Sequence, residues 1–285
     1  MSWFADWNTR RTKVAWQYAT KGFLWRLVPS ATGHLVIEDR DVERKTVAFT
    51  CLDRLTGRVL WKNVEFNEKW WVTIDTIHDD VLFLHEYATP DMPEQKKIFA
   101  VDVRSGNLRW SNDEMKMLIV HEDHVYACKD GITDRLFYDL DLKTGEMRRE
   151  VDEHVVDVLR ESAPKNPLEF LRFPKVYHNE FEEKALEGFV NRATANSGNV
   201  TLIEYLEVGS RVMIGFCENS SVNPTQQTLR QHVTVLHRKS GRILFSDIVA
   251  ENVVMAVPET FFAIESCVYY IKNRTTLRAL NLSKN

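Results

Sequence analysis

The sequence predicts an all-β fold built from a repeated four-stranded antiparallel unit, and three observations carry that expectation. A short phrase recurs at residues 51–61, 100–110, 139–149 and, more loosely, 235–245. Around each copy the residues alternate with period two, as Phe99, Val101 and Val103 do with Ala100, Asp102 and Arg104, which is the spacing of a strand. The two ends of the chain also match, because Lys13-Val14-Ala15-Trp16-Gln17 reads like Arg58-Val59-Leu60-Trp61-Lys62.

Each phrase is a hairpin. Thr-Gly or Ser-Gly supplies the turn, since glycine takes positive φ without steric cost. Two more strand-like runs precede each hairpin, giving strands a, b, c and d. Strands a and b are expected at 25–28 and 34–38, 71–77 and 81–85, 117–120 and 124–128, and 201–207 and 211–217. A last unit offers a, b and c at 260–265, 268–271 and 276–282, and then the chain ends without strand d. The segment 13–17 is the missing strand. Supplying it from the N-terminus closes a ring and hides sheet edges that would otherwise invite aggregation. The expected architecture is therefore a five-bladed β-propeller forming one domain over residues 1–285.

The repeat glycines Gly57, Gly106, Gly145 and Gly241 leave one double-length gap. It holds either a degenerate sixth blade or an insertion. The insertion is preferred over 154–198, which lacks a Thr-Gly hairpin and carries Pro164, Pro167 and Pro174. It also carries a helical stripe: Phe181, Ala185, Leu186, Phe189 and Val190.

Composition narrows the function. With 37 basic and 41 acidic residues the formal net charge is −4, which argues against a nucleic-acid partner. No run of about 18 apolar residues exists, so no membrane span is expected. The N-terminus, with Trp3, Asp6, Trp7, Arg10 and Arg11, lacks the apolar stretch of roughly 7–15 residues of a secretory signal. Cys51, Cys128, Cys217 and Cys267 are far apart, which fits buried thiols in a reducing compartment. A cytoplasmic protein is expected. His121-Glu122-Asp123-His124 lacks the helical zinc spacing and falls on a tight turn, so no metal is expected. Nucleophile elbows, phosphate-cradling glycine loops and dinucleotide fingerprints are absent.

The phrase Ala-x-Asp-x-x-x-Gly-x-x-x-Trp, seen at Ala100, Asp102, Gly106 and Trp110, resembles the pyrroloquinoline-quinone-like β-propeller repeat. The third copy lacks the tryptophan and the fourth lacks the aspartate. Residues 203–207 and 260–262 are also similar to a bacterial propeller family of unassigned function. The resemblance does not imply a cofactor. Quinoprotein dehydrogenases of that superfamily are exported and carry adjacent cysteines over the quinone, and neither feature is found here. Other members are outer-membrane assembly scaffolds without cofactor, but those are lipoproteins, and no lipidation cysteine stands near this N-terminus. Fold does not carry function with it.

Strand alternation places the a–b and c–d turns on one rim and the b–c and d–a loops on the other. The long connections, 87–95, 218–228 and the insertion 154–198, all fall in the second set, and long loops on a rigid scaffold are where binding resides. That rim is the expected functional face. Its candidate residues are Glu38 and Arg40, His85 and Glu86, Lys129 and Asp130, Glu218, and Lys272 and Arg274. Trp25 with Arg26, and Trp70 with Trp71, open strand a on the channel side. They are either partner or sugar platforms or aromatic packing between blades. Glu204 and Glu207 complete the set. The leading expectation is a non-enzymatic scaffold with a protein or polar-ligand partner. The alternative is a carbohydrate-active enzyme with channel carboxylates drawn from Asp75, Glu204, Glu207, Glu265, Glu38 and Glu86, about 5–10 Å apart.

Overall fold

The computed structural model describes residues 11–89, 92–132, 134–162, 169–178, 184–220 and 228–283. Strand β1 (Val14–Ala19) comes first. The first sheet follows: β2 (Phe23–Pro29), β3 (His34–Asp41), β4 (Thr46–Asp53) and β5 (Val59–Val64). The second sheet is β6 (Val72–His78), β7 (Val81–Thr89), β8 (Met92–Asp102) and β9 (Leu108–Asn112). The third is β10 (Lys116–His121), β11 (His124–Asp130), β12 (Arg135–Asp141) and β13 (Met147–Val151). Helix α1 (Glu153–Ser162), β14 (Leu171–Arg172), β15 (Lys175–Val176) and α2 (Lys184–Ala193) fill the long gap. The fourth sheet then runs β16 (Val200–Val208), β17 (Arg211–Asn219), β18 (Leu229–His237) and β19 (Ile243–Val253). The chain ends on β20 (Phe261–Ile264), β21 (Cys267–Lys272) and β22 (Thr276–Asn281).

Among the described residues all five sheets are antiparallel and their four main strands run as a meander, the strand order of a propeller blade. The fifth is completed by the other end of the chain: β1 pairs with β22, with Trp16 opposite Ala279 and Tyr18 opposite Leu277. The fourth and fifth sheets each gain a short extra strand on their a-edge, because β15 pairs with β16 and β14 with β20.

The phrase itself is a side-chain-locked turn. Asp102 Oδ1 accepts the N–H groups of Arg104 (3.1 Å) and Ser105 (2.8 Å) and the Ser105 hydroxyl (2.9 Å). Asp53 and Asp141 do the same with Thr56 and Thr144. In the fourth copy His237 stands in for aspartate, with Nδ1 3.0 Å from the Ser240 hydroxyl. A backbone bond then ties each c–d turn to the a–b turn of its own sheet, Arg54 to Gly33, Val103 to Asp80, Leu142 to Asp123 and Arg238 to Ser210, and in the fifth sheet the end of β22 is tied in the same way, Leu282 to Ser266. The two kinds of turn therefore share one end of every sheet, as strand alternation requires.

The contacts divide the chain into two compact units, Lys21–Pro167 and Met1–Thr20 with Leu168–Asn285. In the first unit the second sheet is apolar on both faces. Leu82, Leu84, Phe99 and Val101 pack on Val36, Val47, Phe49 and Trp61 of the first sheet. Phe83, Ile98 and Ala100 pack on Val125, Ala127 and Leu140 of the third. That two-sided burial is why β7 and β8 read as unbroken apolar runs. The remaining face of the third sheet, with Tyr126, Cys128 and Phe137, is covered by Val156 and Leu159 of α1. In the second unit the fourth sheet packs Met213, Val233 and Val235 on Phe261, Val268 and Leu280 of the fifth. Its other face, with Val212, Ile214 and Phe216, is covered by Leu186 and Val190 of α2.

Three expectations need correction. Residues 87–95 are not a loop: β7 and β8 extend through them as one hairpin with Tyr87 opposite Gln95, and only 90 and 91 lie outside the described residues. The helix expected at 181–190 runs Lys184–Ala193, with Ala185 exposed and Phe181 outside the described residues. A second helix, α1, was not expected. It is capped by Asp152, whose Oδ1 accepts the His154 N–H at 2.8 Å. The tip of the 218–228 loop, residues 221–227, lies outside the described residues.

Candidate functional site

Six of the expected site residues converge on one network between the first and second sheets, centred on the buried pair Glu38 and Arg40. Glu38, wholly buried on β3, accepts the Arg40 Nε at 2.6 Å. Its second oxygen accepts the Thr73 hydroxyl (2.8 Å) and the Ile74 N–H (3.1 Å) of β6. Arg40 donates onward to the carbonyls of Trp70 (2.8 Å) and Val72 (2.9 Å), and Arg26 donates to Ile74 O at 2.6 Å. The Arg40 guanidinium sits 5.0 Å from the Trp70 ring centre and 5.7 Å from that of Trp25. Trp71 meets Trp70 edge-on at 6.4 Å. A buried ion pair survives only when its remaining donors and acceptors are filled, and here they are filled by the neighbouring sheet. The cluster is a staple between sheets.

Glu204 does the same work in the second unit. It is 2% exposed and accepts the Thr260 hydroxyl at 2.9 Å and the Glu259 N–H, holding β16 to the segment that enters β20. Lys272 is bound to Asp247 of β19 at 2.6 Å, and Tyr270 and Arg278 donate to the same carboxylate. Burial acts to raise the Asp247 pKa, but the hydrogen bonds from Lys272 and Tyr270 hold it below the usual range. Glu218 meets His232 Nε2 at 2.8 Å and accepts the Gly198 N–H, which lowers its pKa against its own burial.

The remaining expected residues are separate. Asp75 lies 3.2 Å from Nδ1 of His85, and the buried Nε2 of His85 has no hydrogen-bond partner among the described residues. Glu86 faces Lys97 (3.5 Å) and Lys96 (3.7 Å). Lys129 pairs with Glu114, and Asp130 with Lys116 and Arg135. Arg274 stands with φ +61 in the β21–β22 turn. Glu38, Asp75, Glu86, Glu204 and Glu207 are each engaged with donors or cations of their own rather than with one another. His124, in the motif with metal-like composition, lies 2.7 Å from Asp139 and 3.1 Å from Asp123, next to Arg148.

A cavity of about 600 Å³ lies elsewhere, in the second unit. The short segment that crosses from β14 to β15 forms one wall with Arg172, Phe173 and Lys175, and Tyr205, Glu207 and Arg238 line the other side. Pro174 sits at the crossover, where the chain leaves one sheet for the next and needs no ladder donor. Arg172 donates to the carbonyls of Glu207 (3.1 Å) and Glu265 (3.2 Å), both beside a–b turns. Arg238, in the c–d turn, pairs with Glu207 at 3.0 Å. The cavity therefore opens at the turn end of these sheets, opposite the rim that loop length favoured. Of the expected residues only Glu207 lines it. Sequence spacing could not find it, because two-residue bridges carry no period.

A family model described as a domain of unknown function, DUF4905, matches residues 28–110, which span most of the first two sheets. No curated protein matches. Among solved structures the chain is similar to BamB from Moraxella catarrhalis, at 14% identity over 95% of this chain and 87% of that one, TM-score 0.37. It is also similar to the β-propeller domain of Cps50 (Swd1) from Myceliophteria thermophila, at 9% identity over 91% of this chain and 66% of that one, TM-score 0.32. A bifunctional GH43-CE protein from Bacteroides eggerthii overlaps 95% of this chain and 34% of its own, at 9% identity and TM-score 0.29.

Proposed function

We propose that the chain is a non-enzymatic binding scaffold: a five-bladed propeller of the pyrroloquinoline-quinone-like repeat type, closed by β1, that holds a protein partner in the cytoplasm. The pairing of β1 with β22 supports closure, and the Asp-turn-Gly-Trp phrase supports the repeat type. The observation that carries the scaffold reading is what the buried acids do. Glu38 and Glu204, the most enclosed carboxylates of the expected set, spend their oxygens holding one sheet to the next. A glycosidase acid–base pair needs two carboxyl groups turned toward a shared substrate. Partner contact then falls to the exposed ends of the strands, where Lys129, Asp130 and Arg274 stand.

Capture of partners from native lysate by the intact chain, followed by cross-linking, tests this. The expected cross-links fall near Lys129, and Lys129→Glu releases the partner while melting unchanged. Turnover of a glycoside panel that disappears in Glu204→Gln, with the variant still folded, would overturn the reading.

A further inference from the structure

The charge around the 600 Å³ cavity is unbalanced. Among the described residues, Arg172, Lys175 and Arg238 line it against the single carboxylate of Glu207, which Arg238 already engages. The Lys175 side chain is exposed and makes no hydrogen bond or ion pair among the described residues. Arg211 adds to the field at the same end of the fourth sheet. It is 1% exposed, bound through Nη1 to the Ser210 hydroxyl, and its Nε has no hydrogen-bond partner among the described residues. No carboxylate pairs with Arg211 among the described residues, and burial alone lowers its pKa. An unpaired buried guanidinium raises the local potential much more than one in water. Phe173 is 42% exposed, and Tyr205 and Leu186 add flat and apolar wall beside the cations. The volume is within the range of small-molecule sites, roughly 300–1,000 Å³.

We propose that this cavity is a binding site for a small organic anion with a flat apolar body, its carboxylate or phosphate ester held by Lys175 and Arg238 and its body laid against Phe173 and Tyr205. Arg172 is a positioning residue: its two bonds to backbone carbonyls fix the wall that carries Phe173 and Lys175. The site does not depend on the protein partner proposed above, and it sits at the other end of the strands.

The experiment is ligand-observed NMR titration of the full chain at low ionic strength with phenyl phosphate, benzoate and benzyl alcohol. Phenyl phosphate, benzoate or both are expected to saturate near or below roughly millimolar concentration, and which of them does so names the acidic group. Benzyl alcohol binds at least about tenfold more weakly, because it lacks the charge. Lys175→Gln weakens the anion about fivefold without changing melting, since among the described residues the side chain has no structural bond to lose. Lys62→Gln, at an exposed position on β5, leaves it unchanged. Benzyl alcohol binding as well as the anions, an unchanged affinity in Lys175→Gln, or no saturation by either anion at millimolar levels would each overturn the proposal.

Discussion

The indole of Trp61, in the first sheet, lies over Gly106 in the turn of the second. Its Nε1 donates to Val103 O at 2.7 Å, and a Cβ placed on Gly106 would fall 2.8 Å from the ring. Trp110 repeats the relation on Gly145 and Leu142 of the third sheet. The glycine and tryptophan of the phrase therefore belong to an interaction between sheets. This explains how the third copy does without its tryptophan. The third copy has Arg149 at the tryptophan position, and the face of that sheet away from the second is covered by α1 instead of another sheet turn. The fourth turn is met by Arg192 of α2, which donates to Ser240 O at 2.8 Å and occupies the space above Gly241.

Gly106→Ala is therefore expected to cost about 2–4 kcal/mol, combining a strained φ of +75° with a clash against a buried ring. Gly209→Ala has a similar φ of +57° and nothing within 4 Å, so it costs only about 1 kcal/mol. Urea denaturation of the two variants separates backbone strain from the seat for the indole. Equal losses would mean that the tryptophan contact contributes nothing.

Glu38→Gln is expected to destabilise by about 3–5 kcal/mol, because it strands the buried Arg40 guanidinium among carbonyls. Combining it with Arg40→Met recovers part of the loss, and a double-mutant cycle gives coupling of about 1–3 kcal/mol. If these residues served a partner instead of the sheet junction, the single variant would melt like the wild type.

The repeat made most of this fold legible. Strand edges at His34, Val81, His124, Arg211 and Thr276 coincide with the expected ones because period-two alternation and glycine turns are local signals. The closing strand was legible because Trp16 stands where Trp61 does. The extension of β7 and β8 was not, because Glu94, Gln95, Lys96 and Lys97 read as a polar loop although they pair in register. Helix α1 had a usable signal, a capping Asp152 before Val155, Val156 and Leu159, but its short run was absorbed into the proline-bearing insertion. The role of Glu38 was beyond any single-sequence pattern. A charged residue ending a strand in solvent and one buried against the next sheet look the same until Thr73 and Ile74 are placed beside it.

Acid should weaken the second sheet's turn through Asp102. Burial tends to raise its pKa, but the Arg109 guanidinium and the Ser105 N–H and hydroxyl hold it at about 2, below an ordinary aspartate. A folded-state pKa below the unfolded one contributes stability that is present above the unfolded value, near 4, and is lost as pH falls toward 2. With the carboxylate a quarter exposed, about 1–2 kcal/mol is at stake. Asp102→Asn should be less stable than the wild type at pH 7, and the gap should close between about pH 4 and pH 2. A constant gap across that window would show that the charge is not involved.

Removing residues 156–196 should unfold the protein, because α1 and α2 cover sheet faces that would otherwise meet water. The deletion uncovers Tyr126, Cys128 and Phe137 on the third sheet and Val212, Ile214 and Phe216 on the fourth. It also takes away β14 and β15, and with them the extra a-edge strands on β20 and β16. The milder variant Leu186→Ala leaves the chain intact and is expected to cost about 2–4 kcal/mol, as truncation at a buried apolar contact does. Thermal melting with a dye that binds exposed apolar surface reads both. The deletion should bind dye before any transition, and Leu186→Ala should melt early but sharply. A deletion that melts like the wild type would make the segment an appendage and leave those six side chains without the cover that their burial requires.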